Sequence, residues 1–82
     1  MTLMKTCTSL DRLPTGRHAV ARELCGGREF ANRLAAMGLA VDSRLEVLQN
    51  LGHGPVLVRV RDTRIALGRS EAMKILVEET GP

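Results

Sequence analysis

The strongest constraint on the fold is a period of two. Val56, Val58 and Val60 alternate with Leu57, Arg59 and Arg61, so one side of the stretch is apolar, as a half-buried strand requires. Leu45 and Val47 alternate with Arg44 and Glu46 in the same way, and Ile65 and Leu67 continue the inward series. Turn residues separate these runs. Gly52-His53-Gly54-Pro55 precedes the valines, and Asp62-Thr63 follows them as a two-residue hairpin turn. Upstream, Leu10 and Leu13 sit in a short segment closed by Pro14-Thr15-Gly16. Arg17 to Cys25 alternates as a further strand with two eligible inward faces: His18, Val20, Arg22 and Leu24, or Ala19, Ala21 and Glu23. Ile75 and Val77 close the pattern ahead of an acidic tail, Glu78-Glu79-Thr80-Gly81-Pro82, which is expected to fray.

One segment breaks the period. Between Arg28 and Met37, the residues Phe30, Leu34 and Met37 fall at i, i+4 and i+7 with Ala31 beside them, the stripe of an amphipathic helix. Glu29 and Arg33 stand at the spacing of a helical ion pair, and Gly38 follows where a left-handed residue ends a helix. Ten residues do not hold a helix in water unaided, so the stripe must dock, and the end of a β-barrel is the expected seat. Gly26-Gly27 ahead of it reads as a tight strand-to-helix turn, since neither a Walker lysine nor GxGxxG spacing accompanies it. Ser70-Glu71-Ala72-Met73 predicts a single helical turn capped by Ser70.

These elements describe a mainly β fold: a small barrel of five or six strands with one short α-helix between the early strands. The chain of 82 residues is long enough for one domain, residues 1–82, with an ordered core at about 8–78. Closure of the sheet hides edges that a short, valine-rich sheet would otherwise expose. With one Phe, no Tyr and no Trp, the core must be built from Val, Leu, Ile, Ala and Met, and Phe30 is expected to plug one end.

Charge and cysteine usage narrow the function. Twelve basic against nine acidic residues give +3, and ten of the twelve are Arg. That excess is small for a nucleic-acid footprint, and a single-strand binder needs aromatic stacking platforms that this chain lacks. The basic residues Arg59, Arg61, Arg64, Arg69 and Lys74 therefore read first as a solvated face whose stems cover apolar surface. Two cysteines, Cys7 and Cys25, do not make a disulfide scaffold. The start, Met1 to Thr6, has no apolar leader, and the longest nearly apolar run, Leu34 to Val41, falls well short of the roughly 20 residues that cross a bilayer. A reduced, cytoplasmic protein is the simplest expectation.

No catalytic signature surrounds Cys7, Cys25, His18, His53, Ser9, Ser43 or Ser70, so the chain is not expected to be an enzyme. Metal ligation could draw on His18, His53, Cys7 and Cys25, but no CxxC, HxxxH or HExxH spacing groups them. His53 lies between two glycines at a presumed hairpin tip, and Cys25 ends a strand, where a free cysteine is commonly a small buried hydrophobe.

The order of these features resembles the FeoA family. Leu10, Leu13, Pro14 and Gly16 resemble its opening. Arg33-Leu34-Ala35-Ala36-Met37-Gly38-Leu39 resembles the end of its helix, and Arg44-Leu45-Glu46-Val47 the strand that follows. Gly54-Pro55-Val56-Leu57-Val58 resembles a further strand, and Ile65-Ala66-Leu67-Gly68-Arg69-Ser70-Glu71-Ala72 with Ile75 and Val77 the closing segment. Two departures stand out: Val41-Asp42-Ser43 occupies the place of the family's Pro-Gly turn, and Gly68 replaces a commonly basic residue.

The resemblance spans about residues 8–78 and implies an SH3-like barrel. It also implies a small cytoplasmic accessory of bacterial ferrous-iron uptake, peripheral to the inner membrane through its partner. That partner would be the cytosolic part of the FeoB transporter, a membrane protein with a GTP-binding domain. Neither nucleic acid nor direct membrane insertion enters that reading, and self-association is limited to a weak homodimer. No cofactor is required; an incidental or regulatory divalent metal, iron or zinc, would use the four ligands named above. The expected docking residues are Arg33, Leu34, Met37, Gly38 and Leu39, with Leu39 presented beside Met37 by the Gly38 turn. Two other readings are a metal-sensing SH3-like module and an RNA- or ribosome-binding barrel using Arg59, Arg61 and Arg64.

Overall fold

A computed structural model describes residues 7–81; the stretch Met1 to Thr6, read above for a leader, and Pro82 lie outside the described residues. Six antiparallel strands form one sheet: β1 (Cys7–Ser9), β2 (His18–Leu24), β3 (Arg44–Gln49), β4 (Val56–Val60), β5 (Thr63–Leu67) and β6 (Ile75–Thr80). Their order across the sheet is β1-β6-β2-β3-β4-β5. A 3-10 turn at Leu10–Arg12, helix α1 (Gly27–Ala36) and the four-residue α2 (Arg69–Ala72) complete the chain. None of the helices is long and apolar enough to cross a membrane, among the described residues.

The period-two reading holds most cleanly in β4, where Val56, Val58 and Val60 are buried while Leu57 and Arg59 are half-exposed. Residues from β2 to β6, the 3-10 turn and both helices contribute to one hydrophobic cluster, so the sheet wraps a single interior. Aliphatic side chains fill it, with Phe30 the sole aromatic contributor. Burial of that apolar surface is the main favourable term in a chain of this size.

Strand β2 resolves its two candidate faces by using both. Ala19, Val20 and Ala21 are all buried, and the register shifts between Ala21 and Glu23 against β6. Arg22 is the extra residue of that bulge. An extra residue in one strand reverses which side the following side chains take, so neither strict alternation applies.

Several boundaries differ from the sequence reading. The tail does not fray: β6 continues to Thr80 because His18 and Ala19 pair with Thr80 and Glu79. Ionic contacts join the same strands, Arg17 with Glu79 and Arg22 with Glu78. The β4–β5 turn is Arg61-Asp62, one residue earlier than expected, because Val60 pairs with Thr63. Arg61 takes the positive φ of 56° that the tight turn needs.

Ser70 does not cap α2. Gly68 is the N-cap, and its N–H donates to Glu71 Oε1 at 3.1 Å. Arg33 bonds across to Glu71 Oε2 at 2.7 Å instead of turning to Glu29. The absent Pro-Gly turn is replaced by Asp42 at φ 74°, a left-handed position that Asp tolerates better than most residues. Arg22 Nη1 donates to Asp42 Oδ1 at 2.9 Å and the Ala40 N–H to Ser43 Oγ at 3.0 Å, which fix the turn.

Candidate partner-binding site

The five residues expected to form a docking surface lie at the C-terminal end of α1, and the helix ends there for a local reason. Gly38 has φ 101°, and its N–H donates to Ala35 O at 2.9 Å while the Leu39 N–H reaches back to Leu34 O at 2.9 Å. This is a Schellman motif, in which the residue after the left-handed glycine packs against the residue whose carbonyl it caps. Leu34 and Leu39 are both fully buried.

That pairing corrects the expected site. Leu39 is not presented to solvent; the same Gly38 turn that exposes a helix end folds Leu39 back onto Leu34 and into the core. Leu34 is likewise unavailable to a partner. The exposed members are Arg33, Met37 and Gly38, with Met37 retaining 36% exposure.

Around them the surface is charged at one side and apolar at another. Arg33 and Lys74 both lie over the Phe30 ring, at 5.9 Å and 5.7 Å from its centroid, a favourable cation–π arrangement. The ring also closes on the strand-to-helix turn: a Cβ on Gly26 would stand 2.4 Å from Phe30 Cγ. Gly26 is thus required by close approach, and Gly27 by its φ of 87°. Met73, one residue beyond α2, is 58% exposed. The Arg33–Glu71 bond ties α1 to α2, so the exposed ends of the two helices are held in a fixed relation.

The four candidate metal ligands are not brought together. Cys7 is on β1 opposite Glu78, His18 begins β2 opposite Thr80, Cys25 follows β2, and His53 lies in the loop between β3 and β4. Cys7 and His18 lie on strands with β6 between them, so at least roughly 10 Å separates their backbones. Among the described residues no group of three or more His, Cys, Asp or Glu side chains could hold a metal. Cys25 is exposed, correcting the expectation of a buried thiol. Partial desolvation, and then the neighbouring Glu23, raise its pKa above the ordinary value, which disfavours the thiolate that binds metals.

Sequence reasoning missed Arg69. Its guanidinium donates to Gly54 O at 3.0 Å, Asp11 O at 3.1 Å and Asn50 Oδ1 at 2.6 Å. Asn50 in turn donates to Asp11 O and Leu13 O at 2.9 and 2.8 Å. The pair joins the 3-10 turn, the β3–β4 loop and α2. Arg69 is therefore a structural cation rather than part of a solvated basic face. A single Arg after a Gly in the sequence carries no signal of this, because its three acceptors come from distant loops.

A six-stranded, strongly curved antiparallel sheet with a helix inserted between β2 and β3 places the molecule among the small SH3-like barrel domains. Comparison with known proteins narrows the class. Residues 8–79 match the FeoA domain model, and the chain belongs to the FeoA family. A Methanocaldococcus jannaschii protein named, provisionally, Fe(2+) transport protein A is 36% identical over 64 residues, covering 78% of this chain and 77% of that protein.

Among solved structures, a FeoA described as an iron uptake regulatory protein superposes with a TM-score of 0.82 at 24% identity, over 92% of this chain and 99% of that one. Stenotrophomonas maltophilia FeoA, described as an SH3 domain protein and complexed with zinc, gives 0.67 at 31% identity, over 84% and 87%. A manganese-dependent transcriptional repressor gives 0.83 at 22% identity, over 96% of this chain but 45% of the repressor. This last similarity concerns the fold alone.

Proposed function

We propose that this protein is a non-catalytic accessory of ferrous-iron uptake that docks on the cytosolic part of a FeoB-type GTPase transporter. The observation that carries the reading is the FeoA match across residues 8–79, which takes in all six strands but for the first residue of β1 and the last of β6. The M. jannaschii relative, named for Fe(2+) transport, supports the same process. Docking uses the exposed end of α1, where Met37 supplies an apolar contact and Arg33, although paired with Glu71, keeps an exposed side chain. Gly38 lets a partner approach the backbone closely, since nothing stands within 4 Å of where its Cβ would be.

The test is titration calorimetry of the whole chain against the cytosolic GTPase domain of the FeoB-type transporter from the same genome. Binding should weaken about tenfold in Met37→Asp, roughly 1.4 kcal/mol, while the far-ultraviolet circular dichroism spectrum at ambient temperature stays that of the folded parent. Absence of binding by the parent chain to the isolated domain and to the intact transporter would refute the proposal. Unchanged affinity in Met37→Asp would refute the surface.

A further inference from the structure

The outer face of β3, β4 and β5 carries a second surface that shares no residue with the end of α1. Leu57 on β4 and Ala66 on β5 are register partners, and Gln49 on β3 stands beside Leu57. With Leu51, His53 and Pro55 from the β3–β4 loop they line a shallow groove of about 310 Å³. Leu51 is 63% exposed, the most exposed large apolar side chain among the described residues. The loop that forms this wall is held open: Arg69 grips Gly54 O and Asn50 Oδ1, the Gly52 N–H donates to Asn50 Oδ1 at 3.0 Å, and the Asn50 N–H donates to Thr15 Oγ1 at 2.8 Å. A preformed wall lowers the ordering cost of binding.

The same face is cationic next to the groove. Arg59 and Arg64 are register partners two residues from Leu57 and Ala66, so they share the outer face with the groove at about 7 Å along each strand. Arg44 and Arg61 line a common depression further along. Of these four, Arg59 is bonded to Glu46 at 2.8 Å, whereas Arg44, Arg61 and Arg64 have no ion-pair partner among the described residues. The acids alongside are Glu46, Asp62 and Asp42, and Asp42 is already held by Arg22. With Glu46 and Asp42 already paired, Arg44, Arg61 and Arg64 are set against Asp62 as the remaining acid of this group.

We propose that this face binds an acidic peptide segment of a partner protein, with one apolar side chain in the groove and flanking carboxylates on Arg64 and its neighbours. The pairing of an apolar anchor site with uncompensated guanidiniums is the complement of such a segment. Nucleic acid fits less well, because the lone aromatic, Phe30, is buried elsewhere and no stacking platform borders the groove.

The experiment is an amide chemical-shift titration of the whole 15N-labelled chain with a capped pentapeptide, one leucine flanked on each side by two glutamates. Shifts should centre on Leu51, Gly54, Leu57, Arg64 and Ala66. Affinity should fall about tenfold or more when the peptide leucine becomes serine, when its glutamates become lysines, and in Arg64→Glu or Leu51→Ser of the protein. Both substituted positions are exposed, and the amide spectrum itself reports whether the variant stays folded. No shifts up to about 5 mM peptide, which places any Kd in the weak range, would overturn the proposal. Equal binding of the lysine peptide, or stronger shifts at the same amides with a 12-nucleotide oligouridylate, would also overturn it. The probe contains no transporter sequence, so its outcome is independent of the proposed function.

Discussion

Replacing Leu39 discriminates between a docking residue and a core residue more sharply than any other single change. The side chain is completely buried, follows the left-handed Gly38, and closes the Schellman motif against Leu34. Truncation of a fully buried Leu to Ala costs about 2–5 kcal/mol through lost transfer energy and the cavity left behind. At roughly 0.05–0.15 kcal/mol per residue, a chain of this length has about 4–12 kcal/mol in total. Leu39→Ala should therefore remove about a sixth of the stability at the least, and more than a third at mid-range values of about 3 and 8 kcal/mol. With about 4–8 °C per kcal/mol for a domain of this size, a 3 kcal/mol loss lowers the thermal midpoint by about 12–24 °C. Leu39→Asp adds a buried carboxylate without a partner and should unfold the protein at ambient temperature. Met37→Ala, two residues earlier and 36% exposed, is the internal control and should cost less than about 1 kcal/mol. Urea denaturation followed by far-ultraviolet circular dichroism measures all three. A Leu39→Ala loss below about 1 kcal/mol would refute the packing argument, as would a folded Leu39→Asp variant.

Three further outcomes test other parts of the structure. Gly26→Ala should destabilise by about 1–3 kcal/mol in the same denaturation assay, because its Cβ would meet the Phe30 ring at 2.4 Å. Arg69→Ala should cost about 2 kcal/mol for its lost hydrogen bonds and speed hydrogen exchange at the Gly52 amide, leaving the β4 amides protected. Cys25, whose thiol pKa is raised, holds less thiolate at neutral pH than an unperturbed cysteine. Its alkylation by iodoacetamide, followed by peptide mass mapping, should run slower than that of a model thiol at pH 7 and rise through a higher pH range.

Much of the architecture was legible because local rules and the fold agree. Alternation in β4 and β5 identified the inward residues Val56, Val58, Val60, Ile65 and Leu67, all of which are buried. The stripe Phe30, Leu34 and Met37, with Gly38 behind it, located α1 and its exit to within a residue, although Met37 stays 36% exposed and outside the core. Strand β2 was ambiguous for a physical reason: its bulge at Arg22 breaks the period on which the reading depends. The persistence of β6 to Thr80 was invisible because Glu78 and Glu79 are polar, and their pairing with β2 is a contact between segments some 60 residues apart.

The expected docking set divides along the same line. Its place at the end of α1 came from the chain alone, since a helical stripe ending in glycine is a local pattern of backbone geometry and side-chain spacing. Which of its members face a partner did not. Leu39 and Met37 are both apolar and both border Gly38, and only the backward hydrogen bond to Leu34 turns one inward and leaves the other at the surface. In the same way α1, the inward residues of β4 and β5 and the family could be read from residue order, because each rests on local patterns. The tertiary structure alone decided which arginines are committed, since Arg69 and Arg59 find acceptors on distant segments while Arg61 and Arg64 do not. A charge pair depends on distance in space, and sequence order does not encode that distance until the chain has folded.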